Sequence, residues 1–292
     1  MSDAPKAWTV LDLIRWTSGF LKGKGIENGR REAEELLGHV LDLDRLKLYL
    51  AFETLPNAIE LERFRALVAR RAKREPLQYL IGSQRFLGVT LKLDSRALIP
   101  RPETEFLAEM ALERFKPLGA AGRFADLGTG SGCIALALLA GSEGAGIATD
   151  ISEEALSLAR ENAAAAGLES RLRFLRGAGL LPLQEIGVKD LDLLISNPPY
   201  IPLGDREGLQ PEVRDFEPPS ALFAGEDGLE LLRTLATGAE HHVRPGGWLM
   251  LEGGAGHPEK LMPLLSSDIW KVRETVKDQF GIQRYLLAQR AS

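Results

Sequence analysis

Asn197, Pro198, Pro199 and Tyr200 are four adjacent residues whose chemistry suits the binding of a planar N–H group. They follow the apolar run Leu191–Ser196, which predicts a buried strand. The motif therefore lies at the carboxyl end of that strand, where open α/β sheets bind ligands. Two successive prolines fix the backbone and leave their carbonyls as rigidly held acceptors. Asn197 adds a side-chain carbonyl and Tyr200 a flat aromatic face.

The nitrogen of a primary amide or an aryl amine is a weak nucleophile because its lone pair is delocalised. Two acceptors that hold its two N–H bonds orient the lone pair and stabilise the positive charge that develops as the nitrogen takes a methyl group. They interact more strongly with the transition state than with the ground state, and no histidine base is required. An aromatic ring can pack on the planar group and align it with the donor. The motif predicts alkylation of an amide or amino nitrogen.

A glycine-rich loop, Gly128, Thr129, Gly130, Ser131 and Gly132, lies between a short apolar strand and an apolar helix. Glycine removes the Cβ that would block a close approach of backbone to a ligand, and the helix N-terminus behind the loop favours negative charge. A tight turn without a ligand has the same sequence pattern. The loop alone is therefore a weak indication of a cofactor site.

Asp150 sharpens this interpretation because it lies 18 positions after Gly132, at the end of the next predicted strand. In an open α/β sheet its carboxylate stands beside the loop and can accept both hydroxyls of a ribose. The alternative is a helix cap ahead of Glu153 and Glu154. Loop and acid together indicate an adenosine-containing cofactor and leave NAD and S-adenosylmethionine both open.

The order of predicted elements indicates an α/β fold. From residue 123 onward strands alternate with helices, which is typical of a doubly wound, mainly parallel sheet. Residues 8 to about 75 show only helical periodicity. Between them, alternating residues 86–93 and the apolar residues 97–99 predict a β-hairpin that turns at Asp94 and Ser95. We expect a helical domain over residues 1–82, a hairpin linker over 83–102 and a catalytic domain over 103–292.

Composition narrows the class of protein. The chain is 45% apolar and 26% charged, with one cysteine and four histidines at no metal-ligand spacing. It has no bilayer-length apolar run and no signal-peptide pattern, so we expect a cytoplasmic protein that holds no metal.

Charge divides unevenly along the chain. The first 85 residues hold 15 Lys and Arg against 12 Asp and Glu, and the rest hold 21 against 29. The positively charged excess is concentrated in six residues, Arg63, Arg65, Arg70, Arg71, Lys73 and Arg74. A solvated helix face and a contact patch for an acidic or ribonucleoprotein partner both fit this cluster.

The motifs together resemble those of one protein family. The glycine loop, Asp150 and residues 197–200 resemble class I methyltransferases that act on exocyclic nitrogen. Three further stretches point to one family more specifically, namely Glu75 to Gly82, Ile99 to Glu105 and Phe216 to Pro219. They are similar to the HemK/PrmC family, the peptide chain release factor N5-glutamine methyltransferases. The resemblance covers nearly the whole chain.

The resemblance implies a class I methyltransferase fold, S-adenosyl-L-methionine as donor and a release factor as protein partner. The acceptor implied is the glutamine of the Gly-Gly-Gln loop in the release factor. The resemblance further implies that Gly128 to Gly132 and Asp150 contact the cofactor and that Asn197 to Tyr200 hold the glutamine amide. Asn197 is also implied as a cofactor contact.

One stretch departs from the family pattern. The family usually carries an acidic residue, often with an aromatic one, after the third strand of the sheet, near the adenine. This chain has Arg176, Gly177, Ala178, Gly179 and Leu180 there. Ala178 and Gly179 supply neither a side-chain acceptor nor a stacking ring, so we expect backbone at Gly179 to bind the adenine.

Two rival functions fit part of the pattern. A DNA or RNA adenine-N6 methyltransferase would use the same Asn-Pro-Pro-Tyr solution for an exocyclic amine. Such an enzyme usually carries a positively charged target-reading region, whereas this chain is acidic after residue 85 and has no large insertion. We therefore expect no direct nucleic-acid binding. A binding module that kept only the fold is less compatible with the intact motif.

Overall fold

The structure, a computed structural model, describes residues 8–292, so the first seven residues of the predicted helical domain lie outside the described residues. The described chain forms two compact units. The first contains residues 8–82 and the later segment Pro211–Phe216, and the second contains residues 83–210 and 217–292. In the described part, no helix is long and apolar enough to cross a bilayer.

The first unit is helical. Its helices before residue 83 are α1 Val10–Lys22, α2 Gly29–Leu41, α3 Arg45–Leu50, α4 Ala58–Arg71 and α5 Leu77–Ile81. Capping boxes begin α1 at Thr9 and α4 at Asn57, where each side chain accepts a backbone N–H that the helix leaves unpaired. Apolar faces of α1, α2 and α4 meet in one buried core that includes Leu36 and Phe64.

The second unit combines helices with a central sheet. Its strands are β1 Ser83–Phe86, β2 Val89–Lys92, β3 Arg123–Leu127, β4 Ala145–Asp150, β5 Leu172–Arg176, β6 Leu191–Ser196, β7 Val243–Glu252, β8 Trp270–Lys277 and β9 Gln283–Arg290. The later helices of the chain are α6 Pro102–Phe115, α7 Cys133–Gly141, α8 Glu153–Ala165, α9 Leu181–Glu185, α10 Pro211–Phe216, α11 Glu230–Gly238 and α12 His257–Leu261. Of these, α10 belongs to the first unit.

Short 3-10 helices occupy several connections. They cover Lys116–Ala121, Glu169–Arg171, Leu203–Gly208, Pro219–Ala221, Ala239–His241 and Met262–Leu264. The alternation of strands and helices predicted after residue 123 is confirmed.

The central sheet has the order β5-β4-β3-β6-β7-β9-β8. The strands from β5 to β7 are parallel, and β9 pairs antiparallel with both β7 and β8. The chain leaves β3 for β4 on one side and later places β6 on the other, so the strand order reverses between β3 and β6. Leu127 pairs with Ser196 in this register, and therefore the residues that follow each strand emerge side by side. This is the switch point at which open α/β sheets bind ligands.

The hairpin of the linker is present, but its predicted turn was wrong. The chain turns at Leu87 and Gly88, both with positive φ, and pairs β1 with β2. Residues 97–99 are not a strand, and Asp94 instead accepts the backbone N–H of Arg96 in a local turn. Glycine at position 88 readily adopts the φ of +85° that the tight turn needs, a signal that the apolar alternation obscured.

Candidate active site

A cavity of about 360 Å³ opens at the switch point between β3 and β6. Six of the predicted site residues line it, namely Gly128, Gly130, Asp150, Gly179, Asn197 and Pro199. The structure therefore brings together residues from four separate loops. The remaining predicted residues do not line it: Thr129, Ser131, Gly132 and Pro198 are buried, and Tyr200 is half-buried.

The glycine loop divides its residues between the cavity and the protein interior. Gly128 and Gly130 have φ of +70° and +56°, and a Cβ added at Gly128 would meet no atom within 4 Å. Gly132, with φ of +84°, begins α7, where a Cβ would come within 3.3 Å of Ala159 on α8. Gly128 thus exposes bare backbone towards open space, whereas Gly132 permits close packing of two helices.

The two hydroxyl residues of the loop face inward. Thr129 Oγ1 donates a hydrogen bond of 2.6 Å to Asp126 Oδ2, and Ser131 is 1% exposed. Asp126 is fully buried, and this burial raises the pKa of its carboxyl to about 7. These contacts hold the loop from beneath, so Thr129 and Ser131 can contribute only backbone to a cofactor.

Asp150 ends β4 with its carboxylate at the cavity. Its Oδ2 accepts the N–H of Gly130 at 2.9 Å and its Oδ1 accepts the N–H of Ser152 at 2.9 Å. Burial raises the pKa of this carboxyl, although the two hydrogen bonds oppose the shift. The alternative role as a helix cap is wrong, because the N-cap of α8 is Ser152, whose Oγ accepts the N–H of Ala155.

Asn197 begins the loop after β6. Its Nδ2 donates a hydrogen bond of 2.8 Å to Thr104 Oγ1 on the first turn of α6. The side-chain carbonyl is therefore directed away from α6. Pro198 is buried and Pro199 lines the cavity. These two prolines fix the backbone that presents Asn197.

Tyr200 is half-buried, and its predicted packing on the substrate stays a prediction. Its ring lies edge to face with His257 at a centroid distance of 6.2 Å. Burial raises the pKa of its phenol to about 12, so the hydroxyl remains protonated at neutral pH. Gly228 approaches so closely that an added Cβ would overlap the Tyr200 carbonyl oxygen. Both contacts fix the end of the Asn-Pro-Pro-Tyr loop.

The narrow motifs around the site contact each other. Arg101 donates to Glu217 Oε1 at 2.6 Å, which joins the Ile99 to Glu105 stretch to the Phe216 to Pro219 stretch. Glu217 is 3% exposed, and burial raises the pKa of its carboxyl while Arg101 lowers it. The ion pair therefore secures Pro218, a neighbour in sequence that lines the cavity.

The two acids of the Ile99 to Glu105 stretch have separate contacts. Glu105 Oε1 accepts the N–H of Leu87 at 2.8 Å and so braces the hairpin turn. The backbone carbonyl of Glu103 accepts the hydroxyl of Tyr285 at 2.8 Å. These contacts identify structural roles for residues that the sequence left unassigned.

The loop after β5 forms another wall of the cavity. Gly177, Ala178 and Gly179 line it together with Leu231 and Leu235 of α11. Gly179 has φ of +53°, and a Cβ there would come within 3.1 Å of Leu231 Cδ1. This wall offers backbone polar groups and apolar side chains, and the binding of adenine by backbone at Gly179 stays a prediction.

Sequence reasoning missed two supporting residues. Asn162 on α8 is 1% exposed, and its Nδ2 donates to the Ser131 carbonyl at 2.9 Å. Its Oδ1 accepts the N–H of Lys92 at 2.7 Å, so it joins the hairpin to the glycine loop. Thr104, the partner of Asn197, was the other. The sequence gave no signal of these contacts, because Asn162 is a single asparagine in an alanine-rich helix and Thr104 lies between two glutamates.

The remaining candidates for chemistry are occupied elsewhere. Burial raises the pKa of the Cys133 thiol to about 12, so this cysteine is a packing group. His242 Nδ1 lies 2.7 Å from the Val188 carbonyl oxygen. Over residues 8–292, the acidic, cysteine and histidine side chains form no cluster that could hold a metal ion.

Comparisons with known proteins show the family of the chain. Residues 12–82 match the family model described as PrmC N-terminal domain, and residues 103–207 match the model described as Methyltransferase small domain. The release factor glutamine methyltransferase of Geobacter sulfurreducens is 44% identical, over 97% of this chain and 98% of that protein. Its namesake from Chlorobaculum tepidum is 42% identical, over 92% of this chain and 93% of that protein.

Solved structures add agreement on the fold. The crystal structure of a methyltransferase from Pyrococcus furiosus aligns with a TM-score of 0.53 at 18% identity, over 76% of this chain and 98% of that chain. At this identity the similarity shows the fold alone. The relatives in sequence, in contrast, are far above 30% identity and are spanned almost end to end. The chain therefore belongs to the release factor glutamine methyltransferase family.

Proposed function

We propose that this protein transfers a methyl group from S-adenosylmethionine to the side-chain amide nitrogen of a glutamine in a peptide chain release factor. The observation that carries the proposal is the juxtaposition of Asn197 and Asp150 in one cavity, on loops that follow β6 and β4, the two strands that flank β3. The names of the relatives supply the class of substrate. The motif resemblance identifies the acceptor as the glutamine of the Gly-Gly-Gln loop.

The residues present fit the cofactor. Gly128 and Gly130 expose backbone at the cavity, and a Cβ at Gly128 would project into open space that a ligand can fill. Asp150 has its carboxylate fixed by Gly130 and Ser152 and still lines the cavity, where its remaining lone pairs can accept ribose hydroxyls. Gly179 and Leu231 form a wall for adenine. When bound, the cofactor supplies an electrophilic methyl group on a sulfonium.

Catalysis by the protein consists of orientation and electrostatic stabilisation. The Asn197 carbonyl oxygen accepts one N–H of the glutamine amide, and a backbone carbonyl of the proline pair accepts the other. Both acceptors are held rigidly, so they gain interaction energy as positive charge develops on the nitrogen. Holding both N–H bonds also orients the nitrogen towards the methyl group.

The helical unit is proposed to dock the release factor. A glutamine side chain is too small to supply the binding energy that positions two proteins, so contacts remote from the reacting nitrogen are required. The unit carries a net positive charge in sequence, and Arg63, Arg65 and Lys73 are exposed.

Direct nucleic-acid binding is not part of the proposed function. Since release factors work on ribosomes, the reaction takes place in the cytoplasm.

The proposed function is tested by incubating the protein with radiolabelled S-adenosylmethionine and an intact release factor. We expect label in the release factor, and no label when the glutamine of the Gly-Gly-Gln loop is changed to alanine. Equal labelling of both forms would contradict the proposed acceptor. Label on a DNA or RNA duplex in place of the release factor would support the adenine-N6 alternative.

The proposed role of Asn197 is tested by Asn197→Ala. Loss of a preorganised acceptor should lower kcat by about 10²–10³. Asn28→Ala is the matched control, because Asn28 is exposed and its side chain makes no capping hydrogen bond in α2. Single-turnover rates at saturating cofactor measure the effect. Near-normal turnover of the Asn197 variant would contradict the mechanism.

A further inference from the structure

We propose that Thr104 is a positioning residue for methyl transfer, one that fixes which end of the Asn197 amide faces the substrate. The proposal rests on the proposed function, because it assigns the contact that makes Asn197 an acceptor. It gives the Ile99 to Glu105 stretch a role in the reaction, whereas the sequence motif had indicated only that the stretch lies near the site.

The amide of asparagine has a donor end and an acceptor end of nearly the same shape. Only the acceptor end can bind the N–H bonds of a glutamine amide. The opposite orientation would place the Asn197 NH₂ group against the substrate NH₂ group, and two donors repel. Catalysis therefore needs something that binds Nδ2 and rejects Oδ1.

Thr104 meets the first half of this requirement. Its hydroxyl oxygen lies 2.8 Å from Asn197 Nδ2, and the residue is 3% exposed on the first turn of α6. A hydroxyl can also donate, however, so Thr104 alone would accept either orientation of the amide. The direction depends on where the hydroxyl proton goes.

Glu252, at the end of β7, determines that direction. Its side chain is buried at 1% exposure, and hydrogen bonding by Thr104 lowers the pKa of its carboxyl against the larger effect of burial. Among residues 8–292, no group bonds to Glu252 Oε2. An ionised carboxylate only accepts, so Thr104 donates its proton to Glu252 and presents a lone pair to Asn197. Asn197 therefore donates a hydrogen bond to Thr104, and Thr104 donates one to Glu252.

The first test compares Thr104→Val, which keeps the shape and removes the hydroxyl, with Thr104→Ser, which keeps the hydroxyl. We expect Thr104→Val to lower kcat on a release factor by about 10- to 100-fold, with cofactor Kd within twofold of wild type. Thr104→Ser should restore kcat to within about threefold. A serine variant as slow as the valine variant, or a valine variant as fast as wild type, would overturn the proposal.

Coupling to Asn197 separates positioning from a general structural effect. If Thr104 acts only through the Asn197 amide, Thr104→Val should produce little further loss in single-turnover rate once Asn197 is alanine. An equal loss in both backgrounds would overturn the proposal. Wild-type protein that leaves release factors unmodified would instead overturn the proposed function.

A measurement without substrate distinguishes failure of the Thr104 proposal from failure of the proposed function. In protein labelled with ¹⁵N at asparagine, the side-chain N–H groups of Asn197 should exchange with solvent more slowly in wild type than in Thr104→Val. Equal exchange would overturn the proposal whatever the substrate proves to be.

Glu252→Gln tests the other end of the chain and is available if Thr104→Val fails to fold. Burial, with a smaller contribution from Glu103, raises the pKa of Glu252 to about 7 against the lowering effects of Thr104, Arg284 and Arg101. Tyr200 and Tyr285 also face this carboxyl and remain protonated.

Protonated Glu252 can donate a hydrogen bond to Thr104 as well as accept one, so the direction of the Thr104 hydroxyl is no longer fixed, and kcat of wild type at saturating cofactor should fall as pH drops through about 7. Glu252→Gln should lower kcat at pH ~8 and remove this dependence, because glutamine does not titrate. A variant with the kcat and pH profile of wild type would overturn the proposal.

Discussion

The backbone N–H of Gly130 donates a hydrogen bond of 2.9 Å to Asp150 Oδ2, which joins the loop after β3 to the end of β4. The contact fixes the carboxylate at the cavity before any ligand binds. We predict that Asp150→Ala weakens S-adenosylmethionine binding by about 1.5–3 kcal/mol, because charge-assisted hydrogen bonds are lost. The affinity of Asp150→Asn for S-adenosylmethionine should lie between those of wild type and Asp150→Ala. Calorimetry that shows unchanged affinity would contradict the ribose role.

The same carboxyl predicts a pH dependence. Burial raises the pKa of Asp150, so protonation begins at a higher pH than for an exposed aspartate. Cofactor binding uses the ionised form as an acceptor, and affinity should therefore decrease as pH is lowered towards this raised pKa. We expect binding isotherms between pH ~8 and ~5 to show the decrease in wild type and a flatter profile in Asp150→Asn. Parallel profiles would assign the dependence to another group.

The close packing of Gly179 against Leu231 predicts that a side chain at position 179 weakens cofactor binding. Gly179 and Gly187 both have positive φ, so an alanine at either position meets similar backbone strain. Only at Gly179 would the new Cβ press on Leu231, a cavity residue, at 3.1 Å, whereas at Gly187 nothing lies within 4 Å. Gly179→Ala should raise cofactor Kd about three- to tenfold. Gly187→Ala should leave Kd unchanged, and equal effects would argue against a cofactor contact.

Regular elements of the fold were predictable from local signals. β6 and α8 each have an apolar pattern of the right period, and polar or glycine residues delimit them. The hairpin turn was misplaced because Asp94 and Ser95 are strong turn formers, whereas leucine is not; Leu87 nevertheless has positive φ, and Glu105 braces its N–H. That bracing is a contact across 18 residues, which local patterns do not contain.

The site was predictable where backbone geometry dictates residue type. Asp150 and Asn197 each follow a parallel strand at the carboxyl edge of the sheet, where open α/β sheets bind ligands, so position alone located them. Thr104 and Asn162 act through tertiary hydrogen bonds over 93 and 70 residues, and threonine and asparagine are ordinary in helices. Tyr200 lies against His257 because of packing from α12, which no pattern near the motif reveals.

Two adjacent arginines predict a contrast in stability within the helical unit. The Arg71 side chain is 6% exposed and pairs with Glu32 at 2.5 Å and Glu212 at 2.9 Å. The Arg70 side chain is 52% exposed and pairs with Glu75.

Arg71→Met should lower the free energy of unfolding of this unit by about 3–5 kcal/mol, because two carboxylates lose a buried partner. Arg70→Met should change it by about 0–1 kcal/mol. Urea unfolding followed by circular dichroism measures both, and similar losses would contradict the assigned burial.

Glu212 also determines how the docking role can be tested. It lies in Pro211–Phe216, which packs within the helical unit although the sequence places it after the Asn-Pro-Pro-Tyr loop. Deleting residues up to 82 would strip this segment of Arg71 and Arg74, its ion-pair partners. A slow truncated enzyme could then result from a disturbed loop. Substitution of surface charges avoids this ambiguity.

The last prediction concerns recognition of the release factor. Arg70, Arg71 and Arg74 of the positively charged cluster are committed to ion pairs, whereas Arg63, Arg65 and Lys73 are exposed. We predict that changing the three exposed residues to glutamate lowers kcat/KM for an intact release factor about tenfold or more. The loss should appear mainly in KM and should shrink at high salt, because exposed charges act through screened attraction.

The matched control reverses three exposed positive charges on the β-sheet strands, Arg173, Lys271 and Lys277. Both triple variants change the net charge equally, so long-range attraction alone would affect them alike. Cofactor Kd should stay at the wild-type value in both. A peptide that carries only the glutamine loop should be modified equally slowly by all three proteins. If the control variant lost as much kcat/KM on the intact factor as the helical-unit variant, the docking role would be refuted.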